Sequence, residues 1–331
     1  MSGRPGIPAP LLDVAPDARP LIAAFRESGA VSFQDRTVPE ARSAYRASCD
    51  AGAPSASAGI SATTHDVPGT IPLSVTLYRP PGADRAEPAP AVVFFHGGGW
   101  VIGDVSTHDA LCRVIAELAG TIVVSVDYRL APESVFPAAH DDASRAAAWI
   151  LQDGERLGVA VDRVSVVGDS AGGNLAAHVA RLSALGLLPG KVRSQVLFYP
   201  VTDLTMRTPS YSRVASGFPL SAPSMRWFAD LYAPELSTRD GVELSPALHP
   251  VPADSAPAFI TTVGHDPLAD EGIAYAGLLA AAGTAVEHHH LPHHAHGLVT
   301  SAGLIATGRD ILDRAARFLR DTLHDRSEHT T

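Results

Sequence analysis

From residue 73 onward the chain repeats one pattern: a short, largely β-branched apolar run, then a stretch with helical spacing. Residues 73–78 (LSVTLY) alternate apolar and polar, which predicts a half-buried antiparallel strand at a sheet edge. The runs 91–95, 121–126, 164–167, 195–199 and 258–263 are predominantly apolar on both parities. Such runs suit central strands of a parallel sheet covered on both faces. A later run, VEHHHL, reads as a further strand. Between the runs, residues 107–119, 138–151, 171–185 and 268–282 have helical periodicity, with Gly120, Gly186 and Gly283 placed where helices end. The alternation predicts an α/β fold: a mostly parallel central sheet, right-handed crossovers and flanking helices.

Two regions break this rhythm. The first fifty-odd residues alternate proline-rich and helix-prone segments, and residues 51–59 (AGAPSASAG) read as a flexible linker or loop. Residues 203–248 are rich in Pro, Ser and aromatics and carry no clear strand. An insertion this long without sheet elements suits a lid or cap better than a connection. Its aromatics Phe218, Trp227 and Tyr232 either line a pocket or pack on the sheet.

Bulk properties narrow the partners. The 331 residues are 46% hydrophobic and 18% charged, enough for a large core and unlike a disordered chain. A formal net charge of -10 argues against nucleic acid, which needs basic patches, and against anionic lipid surfaces. No run of about 18 apolar residues exists, so no membrane span is expected. The first residues lack the basic-then-apolar order of a secretory signal. Cys49 and Cys112 form neither a disulfide framework nor a zinc spacing. A reduced, cytoplasmic protein is the expectation, a single Cys49–Cys112 bridge being the rarer alternative there.

Chemistry concentrates in three places. Gly168-Asp169-Ser170-Ala171-Gly172 has G-x-S-x-G spacing, follows VSVV and precedes an Ala-rich helix, the context of a nucleophile elbow. The bland alternative is a serine N-cap in an ordinary strand–helix turn. His96-Gly97-Gly98-Gly99-Trp100 follows the strand AVVFF. Three consecutive glycines suit a turn whose amides must approach an oxyanion closely. A flexible turn or phosphate loop is the alternative, but no Lys-Ser/Thr follows as a P-loop needs. Ala171, next to the serine, offers a further amide.

A serine nucleophile needs a base, and the base an orienting acid. Asp266 follows the run AFITTVG, and His296 follows VEHHHL in the order Ser, Asp, His. Asp266 also suits a helix N-cap with Pro267 at the first position, and Asp270 and Glu271 read as acids of that helix's first turn. His288, His289, His290, His293, His294 and His296 lie within nine residues. His288 and His290 would share a strand face, but no H-E-x-x-H or Cys partner appears, so no metal is assigned. His294 is the fallback base.

Together HGGGW (96–100), DYRLAPE (127–133), FPAA (136–139), GDSAGG (168–173), YP (199–200), GHDPLADEG (264–272) and HG (296–297) resemble the bacterial hormone-sensitive-lipase-type (family IV) carboxylesterases of the α/β-hydrolase superfamily. The resemblance runs from about residue 90 to 297, in the family's order. It implies an α/β-hydrolase fold with a helical cap from residues 1–55 and 203–248, and a catalytic domain from 56–202 and 249–331. It implies Ser170, Asp266 and His296 as triad, with Gly98, Gly99 and Ala171 as oxyanion donors. His96, Gly97 and Asp169 would support them, and the Asp, Arg and Glu of 127–133 would brace the site. The implied activity is hydrolysis of short- to medium-chain carboxylic esters without cofactor or metal, in a chain that often pairs as a homodimer through an edge strand. The partner is thus a small-molecule ester. An amidase or formamidase would use the same triad, and hormone receptors of this fold lack the histidine that His296 supplies. Leu298 stands where the family commonly has an aromatic.

Overall fold

The computed structural model describes residues 9–29, 31–56, 58–83 and 87–324. The outermost parts of the expected cap and catalytic segments, residues 1–8 and 325–331, lie outside them. Eight strands form one sheet: β1 (Ser61–Asp66), β2 (Ser74–Arg79), β3 (Ala89–Phe95), β4 (Ile122–Asp127), β5 (Val159–Asp169), β6 (Val192–Phe198), β7 (Ala258–His265) and β8 (Val286–Ala295). Their order is β1-β2-β4-β3-β5-β6-β7-β8. Only β2 runs against the others; the pairs from β4 to β8 are parallel. The helices are α1 (Arg19–Glu27), α2 (Val38–Gly52), α3 (Asp109–Ala119), α4 (Ala138–Asp153), α5 (Ala171–Ala184), α6 (Ser210–Arg213), α7 (Ala222–Tyr232), α8 (Ala269–Ala281) and α9 (Ala306–His324).

The strand expected at 73–78 is antiparallel but not an edge. β1 pairs outside it, from Ser61 opposite Arg79 to Asp66 opposite Ser74. The sequence SATTHD hides this strand because it buries almost nothing, so no apolar alternation marks it. Backbone pairing alone reveals it. The expected flexible linker at 51–59 is also more ordered than its composition suggests. Ala51 and Gly52 complete α2, and Gly52 O accepts the Gly303 amide at 3.0 Å.

Period-two alternation sorts the strands into two cores. Val93, Phe95, Val124, Val166 and Ile260 face one layer with α4, α5 and α8. Val92, Phe94, Val123, Val167 and Phe259 face the other, with α3, α9 and Ile22 of α1. Both faces are thus covered, which is why the central runs are predominantly apolar on both parities. α3 stops at Gly120 in a left-handed turn, and Gly186 and Gly283 follow the caps of α5 and α8.

Residues 203–248 hold α6 and α7 and, among the described residues, no strand. α7 is pinned at its end: Tyr232 stacks on Trp100 with centroids 4.7 Å apart, and its hydroxyl donates to His140 Nδ1 at 2.8 Å. His140 Nε2 faces two acceptors, Asn174 Oδ1 and Glu243 O, so its proton sits there. Burial, with His178 nearby, pushes His140 down to about 3 and keeps it neutral. Phe228 of α7 meets Phe33, just before α2, at 5.4 Å. Among the described residues, no helix is long and apolar enough to cross a membrane.

Candidate active site

The turns that follow β3, β5, β7 and β8 carry the candidate residues, all at carboxyl ends of parallel strands. Open α/β sheets build their sites there, because the turns beyond those ends converge. Ser170 sits between β5 and α5 at φ 56°, ψ -119°, a strained conformation for a residue with a side chain. The turn survives because its neighbours are small. A Cβ on Gly172 would lie 1.9 Å from Phe95 O, so α5 can approach β3 only with glycine there. The Ser170 amide donates to Phe198 O at 2.8 Å, and its carbonyl accepts from Asn174 and Val201.

His296 lies just beyond β8. Its Nε2 is 2.9 Å from Ser170 Oγ and its Nδ1 is 2.6 Å from Asp266 Oδ2. A carboxylate only accepts, so Nδ1 carries the proton and Nε2 is left to accept from the serine hydroxyl. Asp266 is 1% exposed, and its Oδ1 accepts the Leu268 amide at 2.9 Å. That second bond closes a turn ahead of α8 and is not the expected helix cap: the cap position is Leu268, without a side-chain cap bond, and Pro267 precedes it. Asp270 and Glu271 do fall in the first turn of α8. Each also has a distant partner: Asp270 binds Arg213, and Glu271 Oε1 accepts the amides of Thr202 and Asp203.

The glycine turn after β3 closes the site. Gly99 has φ 59°, and a Cβ there would meet Phe228 Cγ at 2.4 Å. Gly98 O accepts the amides of Val101 and Ile102, folding the turn back on itself. Among the described residues, the amides of Gly98, Gly99 and Ala171 donate to no protein acceptor. Gly97 N–H donates to Asp169 Oδ1 at 2.9 Å. Burial opposes ionisation of Asp169, but His108, His96 and His296 hold its carboxyl below the ordinary range. His96 bonds Gly97 O through Nδ1 at 2.8 Å and stacks on Tyr128. Burial, with His108 beside it, pushes His96 down to about 4.

The 127–133 segment lies against this turn. Ala131 N donates to Trp100 O, Arg129 clamps Asp142, and Arg42 of α2 joins Glu133 to the carbonyls of Val101 and Ala131. Asp127 at the end of β4 faces Ser74 Oγ at 3.5 Å.

A cavity of about 310 Å³ opens over Ser170 and His296. Its walls include Leu21 and Phe25 of α1, Tyr45 of α2, and Leu220, Met225 and Phe228 around α7. Phe218, Trp227 and Tyr232 are not among its walls: Phe218 stacks on His265, Trp227 packs on Phe228, and Tyr232 stacks on Trp100. Leu298, in place of an aromatic, is 1% exposed and joins the core layer that holds Ile22. Of the remaining histidines, His288 Nε2 and His290 Nδ1 both lie 2.9 Å from Thr262 Oγ1, and His294 bonds Asp17 rather than Ser170. Cys49 and Cys112 are both buried free thiols.

Sequence reasoning gave no role to Tyr199. Its ring lies 4.5 Å from that of His296, and its hydroxyl accepts the Val299 amide at 3.3 Å. It also missed His108, whose Nε2 is 3.3 Å from Asp169 Oδ1. Tyr199 belongs to the YP motif, which carried no role for it, and nothing in the local sequence marked His108.

Comparison with known proteins identifies the fold and the family. Residues 92–300 match a family model described as an alpha/beta hydrolase fold. An ethyl acetate hydrolase of Pseudomonas putida is 42% identical over 233 residues, covering 70% of this chain and 73% of that protein. The esterase LipI of Mycobacterium tuberculosis is 40% identical over 255 residues, covering 76% and 79%. A thermostable esterase from Pseudomonas putida superposes with a TM-score of 0.87 at 30% identity, covering 97% of this chain and 99% of its own. An ester hydrolase from the metagenome of Lake Arreo, complexed with a bipyridine phosphonate derivative, gives 0.86 at 33% identity, covering 93% and 98%. The eight-stranded sheet, the match over residues 92–300 and these relatives agree: the chain belongs to the alpha/beta-hydrolase family, in its hormone-sensitive-lipase-type branch.

Proposed function

We propose that the protein is a serine carboxylesterase in which Ser170 is nucleophile, His296 base and Asp266 its orienting acid. One observation carries the reading: a single imidazole bridges a strained serine hydroxyl and a buried carboxylate, at 2.9 and 2.6 Å. Ser170 Oγ attacks the ester carbonyl as His296 Nε2 takes its proton. The positive imidazolium then faces Asp266. The amides of Gly98, Gly99 and Ala171 receive the tetrahedral oxyanion, a kind of stabilisation worth about 10²–10³ in rate per donor. His296 returns the proton to the departing alcohol, and water repeats the sequence on the acyl-enzyme. Apart from the ester and that water, every group in this cycle belongs to the chain.

The cavity, of about 310 Å³ and mostly apolar in its walls, suits short- to medium-chain acyl groups. We assign residues 9–55 and 203–248 to the cap, since α1, α2 and α7 supply those walls. β8 is the last strand of the sheet, the edge a homodimer would use. The buried free thiols suit a reduced, cytoplasmic setting.

The test is Ser170→Ala, assayed with p-nitrophenyl butyrate and with the matching anilide. Loss of turnover with ester strongly preferred is the expected result. Turnover near wild type in the variant, or preference for the anilide, would overturn it.

A further inference from the structure

The histidine-dense end of β8 does not enter the proposed chemistry except through His296. His293 and His294, with His265 of β7, instead meet the chain that leads into α1. The carbonyl of Asp13 accepts from His265 Nε2 at 3.0 Å and from His293 Nδ1 at 2.9 Å. The Ala15 amide donates to His293 O at 2.8 Å. The Asp17 carboxylate takes three donors: His294 Nε2 at 3.1 Å on Oδ1, and Thr307 N and Oγ1 at 2.9 and 2.7 Å on Oδ2. Desolvation works against the Asp17 charge, but Thr307 and His294 hold the carboxyl below its ordinary range. At the far end of α1, Arg26 donates to Gly217 O at 2.9 Å and lies over Phe218, which stacks on His265. The helix is therefore tied at both ends, its start to the ends of β7 and β8 and its end to Gly217 and Phe218, with His265 touching both ties.

What lies between the two ties is a wall of the cavity. Ala18, which caps α1, and Leu21, Ile22 and Phe25 within the helix line the cavity together with Ser170 and His296. α1 has nine residues, shorter than a helix that holds itself in water, so its placement depends on tertiary ties. His293 and His294 are also three and two residues from His296, which couples the wall to the base through one short segment.

We propose that Asp17, with His294, His293 and His265, forms a clasp that sets the distance of α1 from Ser170 and thereby the ester chain length the site accepts. Asp17 and His294 are positioning residues: they act through α1 and touch no substrate. The inference rests on the esterase reading for its kinetic half, and on the fold alone for its structural half. A long acyl or alcohol chain leans on Leu21, Ile22 and Phe25, whereas an acetyl group stays near Ser170. Loosening the clasp weakens binding of the first and spares the second.

The experiment compares full-length wild type and Asp17→Ala by hydrogen exchange of residues 18–27, and by KM and kcat on acetyl and hexanoyl p-nitrophenyl esters. The expected result is exchange at least about tenfold faster in α1, a hexanoyl KM raised about three- to tenfold, and acetyl kcat within about twofold. His294→Gln keeps an N–H donor and should stay near wild type, whereas His294→Ala should follow Asp17→Ala. Thr307→Val removes one donor from the Asp17 side and should move the same way by less. Unchanged exchange with an unchanged hexanoyl-to-acetyl KM ratio would overturn the clasp. So would an equal kcat loss on both esters with KM unmoved, the mark of a general structural defect. Should wild type turn over neither ester, the functional reading falls and the exchange comparison alone decides the clasp.

Discussion

Gly97 and Asp169 are joined by a buried hydrogen bond, amide to Oδ1 at 2.9 Å, that ties the glycine turn after β3 to the turn bearing Ser170. Asp169 stands one residue before the serine, so the two halves of the site share one carboxylate. In Asp169→Ala the Gly97 amide loses its acceptor and the turn is free to shift its neighbours Gly98 and Gly99. Steady-state kinetics should show kcat lowered about 10- to 100-fold, part of what a lost oxyanion donor costs. Asp169→Asn keeps an acceptor oxygen and should retain more activity than Asp169→Ala. Equal activity in both variants and wild type would sink this reading.

Asp266 Oδ2 lies 2.6 Å from His296 Nδ1, and in the proposed cycle it orients the ring and sets which nitrogen bears the proton. Asp266→Asn can present an N–H to Nδ1 and so favour the wrong tautomer. A loss of about 10⁴ in kcat is expected, with KM little changed. The Leu268 amide can keep its acceptor, so thermal stability should fall much less than activity. Parallel melting curves and kinetics check the separation.

Gly99→Ala should cost both stability and turnover. The new Cβ would sit 2.4 Å from Phe228 Cγ, and φ 59° is unfavourable for alanine. Removing the obstacle in the double variant Gly99→Ala/Phe228→Ala should recover part of the turnover on a short-chain ester. The strain of the positive φ remains, so recovery should be incomplete. A double variant no better than Gly99→Ala alone would place the damage elsewhere.

Glu271 should make stability depend on pH above the ordinary carboxyl range. Burial raises its pKa well above the ordinary carboxyl range, against the pull of the Thr202 and Asp203 amides. The folded state therefore holds this proton more tightly than the unfolded chain does. Its contribution is fully present below the unfolded value and is lost as pH rises toward the folded one. Glu271→Gln keeps the acceptor for both amides and cannot ionise. Its melting temperature should exceed that of wild type at pH 8, on the order of 2–4 °C for each kcal/mol regained, with the difference shrinking toward pH 4. Identical pH profiles for the two proteins would refute this.

The amino-acid order by itself determined the sheet's centre and the candidate site. Runs such as AVVFF and VSVV are apolar on both parities because both faces of β3 and β5 are covered, so burial wrote itself into the local pattern. Ser170 and Gly172 were legible because a strand-to-helix turn this tight tolerates few residue types. Tertiary structure alone decided the rest. β1 is stabilised by backbone pairing to β2, which leaves no mark on the side chains of SATTHD. Met225 and Phe228 became cavity walls, and Phe218 and Tyr232 packing residues, according to which rings they met. The histidines of β8 and the turn after it divided the same way: His288 and His290 share Thr262, His294 holds Asp17, and His296 reaches Ser170. Side chains of one type and nearly one address differ only in what the fold brings to them, and contacts between residues hundreds of positions apart have no local signature to read.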